Sequence, residues 1–253
     1  MRIAIHQTGE VGIRAARIIL AERDLESFGL LDRNPRQKAD SRVRRADDLD
    51  EYDVLIVDDL GDVDELSERA LAGRAALCVW NEFDATDLDG PFIERTSSVL
   101  VGANLASGIA PCLAAHEMAR GGHVMDVTIA WTEPGSPLRR GTAVPFPDPV
   151  GSRWAKPRHV ANREMLVAPV DGEWAAAMAR VTSATNNGVV TRIVGVADLA
   201  PHLEALALAS GAIGLARGSY PLGATVPEDA GESYLSTALT AGLDVAAYEL
   251  HDA

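Results

Sequence analysis

With 253 residues, 47% of them apolar, the chain can bury one large core or two modest ones. Its formal charge of -14 excludes general affinity for phosphate backbones, so no nucleic-acid partner is expected. No stretch is long and apolar enough for a membrane span and no signal peptide precedes the first strand, so a cytoplasmic protein with no membrane partner is expected.

RIAIH reads as a short apolar strand, followed by the helical VGIRAARIILAE with Val11, Ala15, Ile18 and Ile19 near one face. SFGLLD is a second strand. The basic interval RNPRQKADSRVRR follows, broken by Asp40, before YDVLIVDD, the third strand. DVDELSERALAG supplies a helix stopped at Gly73; AALCVW and SSVLVG are the fourth and fifth strands. Strands alternating with helices or crossovers predict an α/β fold, a Rossmann-like parallel sheet covered on both faces.

ASGIAPCLAAHEMARGG is a strong helix ended by Gly121 and Gly122, and HVMDVTIAWTE a long strand. EPGSPLRRGTAVPFPDPVGSRWAKPRH is expected to be a long ordered loop with a functional role. REMLVAPV and GVVTRIVGVAD read as strands separated by a helical GEWAAAMARVTS. LAPHLEALALASGAIGLARGS is a long helix, and ESYLSTALTAGLDVAAYEL a further helical candidate. The expected organisation is a dinucleotide-type domain over 1–101. A smaller α+β substrate and oligomerisation domain follows over 102–253, with its last helices candidates to return to the first.

The turn after the first strand, HQTGEVG, carries the first chemical signal. A glycine-rich turn opening a helix receives a diphosphate on its backbone amides. Gly9 and Gly12 keep two of the three expected glycines, while Gln7, or His6 in the longer spacing, replaces the first. Thr8 is a candidate helix cap or phosphate ligand, and Val11 lies within the same turn. Glu10 suits the helix dipole but competes with a phosphate unless it faces solvent. Asp32 ends the second strand twenty residues after Gly12, where an acid accepts bonds from ribose hydroxyls; the alternative is a plain turn residue. Its charge disfavours a 2'-phosphate, whereas Arg33 and Arg36 favour one. NAD or NADP is the expected cofactor, with a slight preference for NAD.

QTGEVG, YDVLIVDD, GANLASGI and the later RGTAV together resemble the dihydrodipicolinate reductase-like family, whose N-terminal half related amino-acid dehydrogenases share. The resemblance implies a nucleotide role for Gly9, Gly12 and Asp32, and brings Gly102, Ala103 and Asn104 near the nicotinamide. It also implies that Gly141 and Thr142 grip a substrate carboxylate, Arg140 standing where the family has serine. The family's paired histidines and lysine are missing from TIAWTEPGSPLRRGTA, and CVWNEFD replaces its Gly-Thr-Thr-Gly-like turn. Both departures argue against dihydrodipicolinate reduction itself. Asp58 and Asp59 add negative charge along the expected cofactor path.

Hydride chemistry is carried by the cofactor, leaving the protein to anchor the substrate and manage a proton. Arg139 and Arg140 form the candidate carboxylate clamp, the alternative being two solvated loop arginines. Lys156, one of only two lysines, and His159 are the candidate acids. His116 reads as structural and His123 is unassigned. Cys78 and Cys112, without CxxC spacing, read as core thiols. The histidines and acids form no HxxxH or HxxE pattern, so no metal is expected; GxSxG and P-loop sequences are absent. Trp131 and Trp154 flank the Pro/Gly-rich passage as pocket walls or sheet covers. The outward face of HVMDVTIAW suggests a homodimer or homotetramer. Two classes remain: an NAD(P)-dependent dehydrogenase or reductase acting on a small amino or keto acid, and a diverged non-catalytic nucleotide-binding or regulatory protein of the same fold.

Overall fold

A computed structural model describes the chain except residues 7–8, 32, 36–39, 59–62, 161–162, 187 and 253. Its first half comprises β1 (Arg2–His6), α1 (Glu10–Leu20), β2 (Ser27–Leu31), β3 (Val43–Ala46), β4 (Val54–Val57), α2 (Val63–Gly73), β5 (Ala76–Val79), α3 (Thr86–Glu94) and β6 (Ser98–Leu100). The second comprises α4 (Ala110–Ala119), β7 (His123–Pro134), β8 (Thr142–Pro145), β9 (Ser152–Val160), β10 (Arg163–Val170), β11 (Trp174–Thr185) and β12 (Gly188–Leu199). It ends with α5 (Ala200–Ala216), β13 (Gly223–Thr225), α6 (Glu232–Thr240) and β14 (Ala246–Asp252).

The strands form two sheets. One is wholly parallel, in the order β13-β6-β5-β4-β1-β2-β3. Its central strands are apolar on both faces, which a parallel sheet sandwiched between helices requires. Ile3, Ile5 and Ile56 face α1 and α5, while Leu55, Val57 and Leu77 face Leu66 of α2 and Phe92 of α3. The other sheet has the order β14-β12-β11-β7-β10-β9-β8 and is antiparallel except where β7 and β10 run together. This is a Rossmann-like parallel sheet with a second, smaller α+β unit.

α5 joins the two. It is apolar around its circumference, as a helix buried on every side must be, and Leu203, Leu206, Leu208 and Ile213 are inaccessible to solvent or nearly so. Burial of each such side chain stabilises the fold by about 1.5–3 kcal/mol. The cluster that it centres runs from Ile3 and Ile19 to Leu113 of α4 and on to Trp131 and Val167 of the second sheet. A separate cluster on that sheet's far face gathers Ala130, Ala168 and Met178 beneath Val144, Phe146 and Val150.

Three expectations fail locally. GEWAAAMARVTS is no helix: it supplies the twelve-residue strand β11, hydrogen-bonded between β12 and β7. Ala175, Ala177 and Ala179 face the α5 cluster while Ala176 and Met178 face the other way, so burial on both faces overrides alanine's helical propensity. The passage 133–159 is only partly a loop, because GTAVP and SRWAKPRH contain β8 and β9. In the tail, helix stops at Thr240, and AAYELHD pairs along β12 as an edge strand. β3, α3 and β13 were also not expected; β13 hydrogen-bonds to β6 and so extends the parallel sheet. Among the described residues no helix is long and apolar enough to cross a membrane.

Candidate functional site

β1 lies between β2 and β4, so it delivers the chain to α1 at the carboxyl edge of the parallel sheet, where such sheets bind ligands. Gly9 is the N-cap of α1 and has no side chain with which to cap it. Its N–H instead donates to Asp58 Oδ2 at 2.9 Å. Asp58 directly follows β4, whose Val57 is in register with His6 of β1. Gly12 is buried, and a Cβ there would stand 2.5 Å from Asp58 Oδ2 and 3.2 Å from Ile5 Cδ1. The Asp58 carboxylate therefore lies over the first turn of α1. Val11 is half-buried against the core. Glu10 is exposed and pairs with Arg14 at 2.9 Å, which turns its charge along the outside of the helix. Gln7, Thr8, Asp32, Arg36 and Asp59 lie outside the described residues. Arg33 is exposed, its N–H donating to the Leu30 carbonyl at 3.3 Å.

The turn after β6 is the second part of the site. Gly102 passes through left-handed backbone (φ +73°) and donates to the Asn81 carbonyl at 3.1 Å, while Ala103 donates to Val79 at 3.1 Å. Asn104 then caps a π-helical turn over Leu105–Ile109. Its Oδ1 accepts from Ser107 N at 2.9 Å and from Ser107 Oγ at 3.1 Å, and its Nδ2 donates to the Trp80 carbonyl at 2.9 Å.

Glu204 of α5 completes this end. Its Oε2 accepts from Trp80 Nε1 at 2.8 Å and from the Leu105 amide at 3.1 Å. One carboxylate thus joins the turns after β5 and β6. Burial raises the Glu204 pKa above the ordinary carboxylate range, and the two hydrogen bonds offset only part of that rise. Sequence reading missed Glu204. Its one signal was an acid, the only one, in the apolar helix APHLEALALASGAIGLA.

The candidate substrate residues sit on the second sheet. The connection from β7 to β8 starts beside β10, where Gly135 N donates to Val170 O at 2.9 Å. It carries Arg139 and Arg140, both exposed, into Gly141 and Thr142. Gly141 approaches β9 so closely that a Cβ would stand 2.3 Å from the Ala155 carbonyl oxygen. Thr142 is exposed and opposes Ala155. Just beyond Val170, Gly172 and Glu173 line a cleft of about 330 Å³ together with Glu10 and Arg14 of α1 and Leu199, Ala200 and Pro201.

Lys156 and His159 are both exposed on β9, not on a loop, and an odd spacing along a strand sends them to opposite faces. Lys156 opposes Val167, on the face turned towards α4 and α5, whereas His159 opposes Glu164 on the other. Arg158 shares the Lys156 face and is ion-paired with Glu133 of β7. Trp131 is buried in the α5 cluster, and Trp154 is largely exposed. His116 is half-buried on α4, His123 is exposed at the start of β7, and the thiols of Cys78 and Cys112 are buried and free.

No protein-family model matches the sequence, and no curated protein does. Solved structures match it over nearly its whole length. DAP dehydrogenase from C. glutamicum in complex with DAP is 14% identical, with a TM-score of 0.59 over 92% of this chain and 95% of its own. Dipicolinate-bound dihydrodipicolinate reductase from Paenisporosarcina sp. TG-14 is 12% identical, with a TM-score of 0.57 over 90% and 98%. An engineered D-amino acid dehydrogenase bound to NADP+ is 14% identical, with a TM-score of 0.53 over 90% and 93%. The chain has the fold that these dehydrogenases and reductases share.

Proposed function

We propose that the protein is an oxidoreductase that binds a nicotinamide dinucleotide along the carboxyl edge of its parallel sheet and acts on a small amino or keto acid. The observation that carries this reading is the placement of two turns on that one edge, Gly9–Gly12 after β1 and Gly102–Asn104 after β6. The fold supports it: of the similar structures, one holds NADP+ and another DAP. The glycine spacing and the helix end fit a dinucleotide diphosphate, and Asp58 conflicts with it. Gly9, Gly12, Gly102 and Asn104 would hold the cofactor, which supplies hydride transfer when bound. NAD is preferred slightly over NADP on Asp32, against the pull of Arg33.

Arg139 and Arg140 are the proposed carboxylate clamp, assisted by the Gly141 amide and the Thr142 hydroxyl. Lys156, on the face turned towards α4 and α5, is the proposed proton donor in preference to His159. Sheet–sheet association is the proposed route to a homodimer or homotetramer, since β14 leaves Tyr248 and Leu250 exposed at the edge of the second sheet. Light scattering on the purified protein measures it.

The test of the function is a titration with NADH and NADPH, followed by a screen of amino and keto acids for a change in nicotinamide absorbance. Binding and turnover are the expected result, and removing both Arg139 and Arg140 lowers kcat/KM by about a hundredfold. Absence of binding below about millimolar concentration overturns the reading. The Asp58–Gly9 contact favours a second reading, a non-catalytic nucleotide-binding or regulatory protein. That reading predicts binding without turnover.

A further inference from the structure

We infer that Asp58 is the specificity-determining residue of the α1 turn: its carboxylate holds the Gly9 amide to which a diphosphate would bind, so a dinucleotide binds only by displacing it. The inference rests on the proposal that this turn is the diphosphate seat.

A helix N-terminus offers unpaired N–H groups and a partial positive charge, and both favour one anion. Here that anion comes from the chain itself. Asp58 Oδ2 takes the Gly9 N–H at 2.9 Å and stands 2.5 Å from the position that a Gly12 Cβ would occupy. Gly12 therefore makes room for a carboxylate as well as for close packing on Ile5. Glu10 is not the occupant, because it lies outside the turn with Arg14. A diphosphate entering the seat meets a charge of its own sign and must take over the hydrogen bond that Asp58 gives up. A ligand that presents no phosphate meets neither cost.

The experiment is a calorimetric titration of the full chain with NADH, ADP and adenosine, on the wild type, Asp58→Asn and Asp58→Ser. Asparagine keeps an oxygen for the Gly9 amide without the charge; serine is the smaller alternative, should the asparagine variant fold poorly. NADH and ADP are expected to bind both variants about tenfold more tightly than the wild type. Adenosine, which lacks a phosphate, is expected to bind all three alike. Equal NADH affinity in wild type and variants, or an equal gain for adenosine, overturns the role of Asp58 and leaves the cofactor proposal standing. If neither the wild type nor either variant binds NADH, the turn is not a diphosphate seat and both proposals fall.

Discussion

The two turns at the carboxyl edge of the parallel sheet are built on different principles. At the turn after β6, every polar group named above has a fixed partner: Asn104 ties Trp80 to Ser107, and Glu204 ties Trp80 to Leu105. At α1, the Asp58 carboxylate from the end of β4 accepts the Gly9 N–H at 2.9 Å. The first arrangement is preorganised and resists change. The second is the contact that the proposed dinucleotide would have to displace.

Truncation tests the contrast most strongly at Glu204. Glu204→Ala leaves the Trp80 indole and the Leu105 amide without their acceptor, and it is expected to lower stability by about 1–3 kcal/mol in denaturant unfolding. Asn104→Ala removes the cap of the π-helical turn and is expected to cost about 1 kcal/mol. Asp58→Asn should cost the least, about 0.3–1 kcal/mol, because an oxygen still faces Gly9 while the attraction of the charge to the helix end is lost. An Asp58 variant less stable than the Glu204 variant would break the comparison.

A pH series sharpens it. The folded pKa of Glu204 lies above its unfolded value, so its contribution to stability is greatest below the ordinary glutamate range, about 4.3, and is lost as pH rises through the folded value. Glu204→Gln keeps an oxygen acceptor and cannot ionise. The expected outcome is a flatter stability profile above that range, with stability at neutral pH equal to or greater than that of the wild type. A profile identical to the wild type's would mean that Glu204 does not titrate in this window.

Local patterns made part of this legible. The alternation of apolar strands with amphipathic helices announced the parallel sheet, and QTGEVG and GANLASG are the motifs on which the cofactor proposal rests. β3 was hidden because VRRA is a polar edge strand, with Arg44 and Arg45 exposed. β11 was hidden because a central strand buried on both faces loses its period of two, and its alanines then read as helix. The tail strand β14 was hidden for another reason: AAYEL carries helix formers, and only pairing with β12 makes it extended. At the candidate site, Gly9 and Gly12 lie within one turn of α1, where a local motif can be read. Glu204 acts across 99 residues on Leu105, a separation that no local pattern encodes.

The most direct measurement is a crystal structure of the protein grown with NADH. The expected result is the diphosphate against Gly9 at the start of α1, Asp58 turned away from that amide, and the nicotinamide beside Asn104. A dinucleotide bound elsewhere, or bound with Asp58 still on the Gly9 amide, would contradict it.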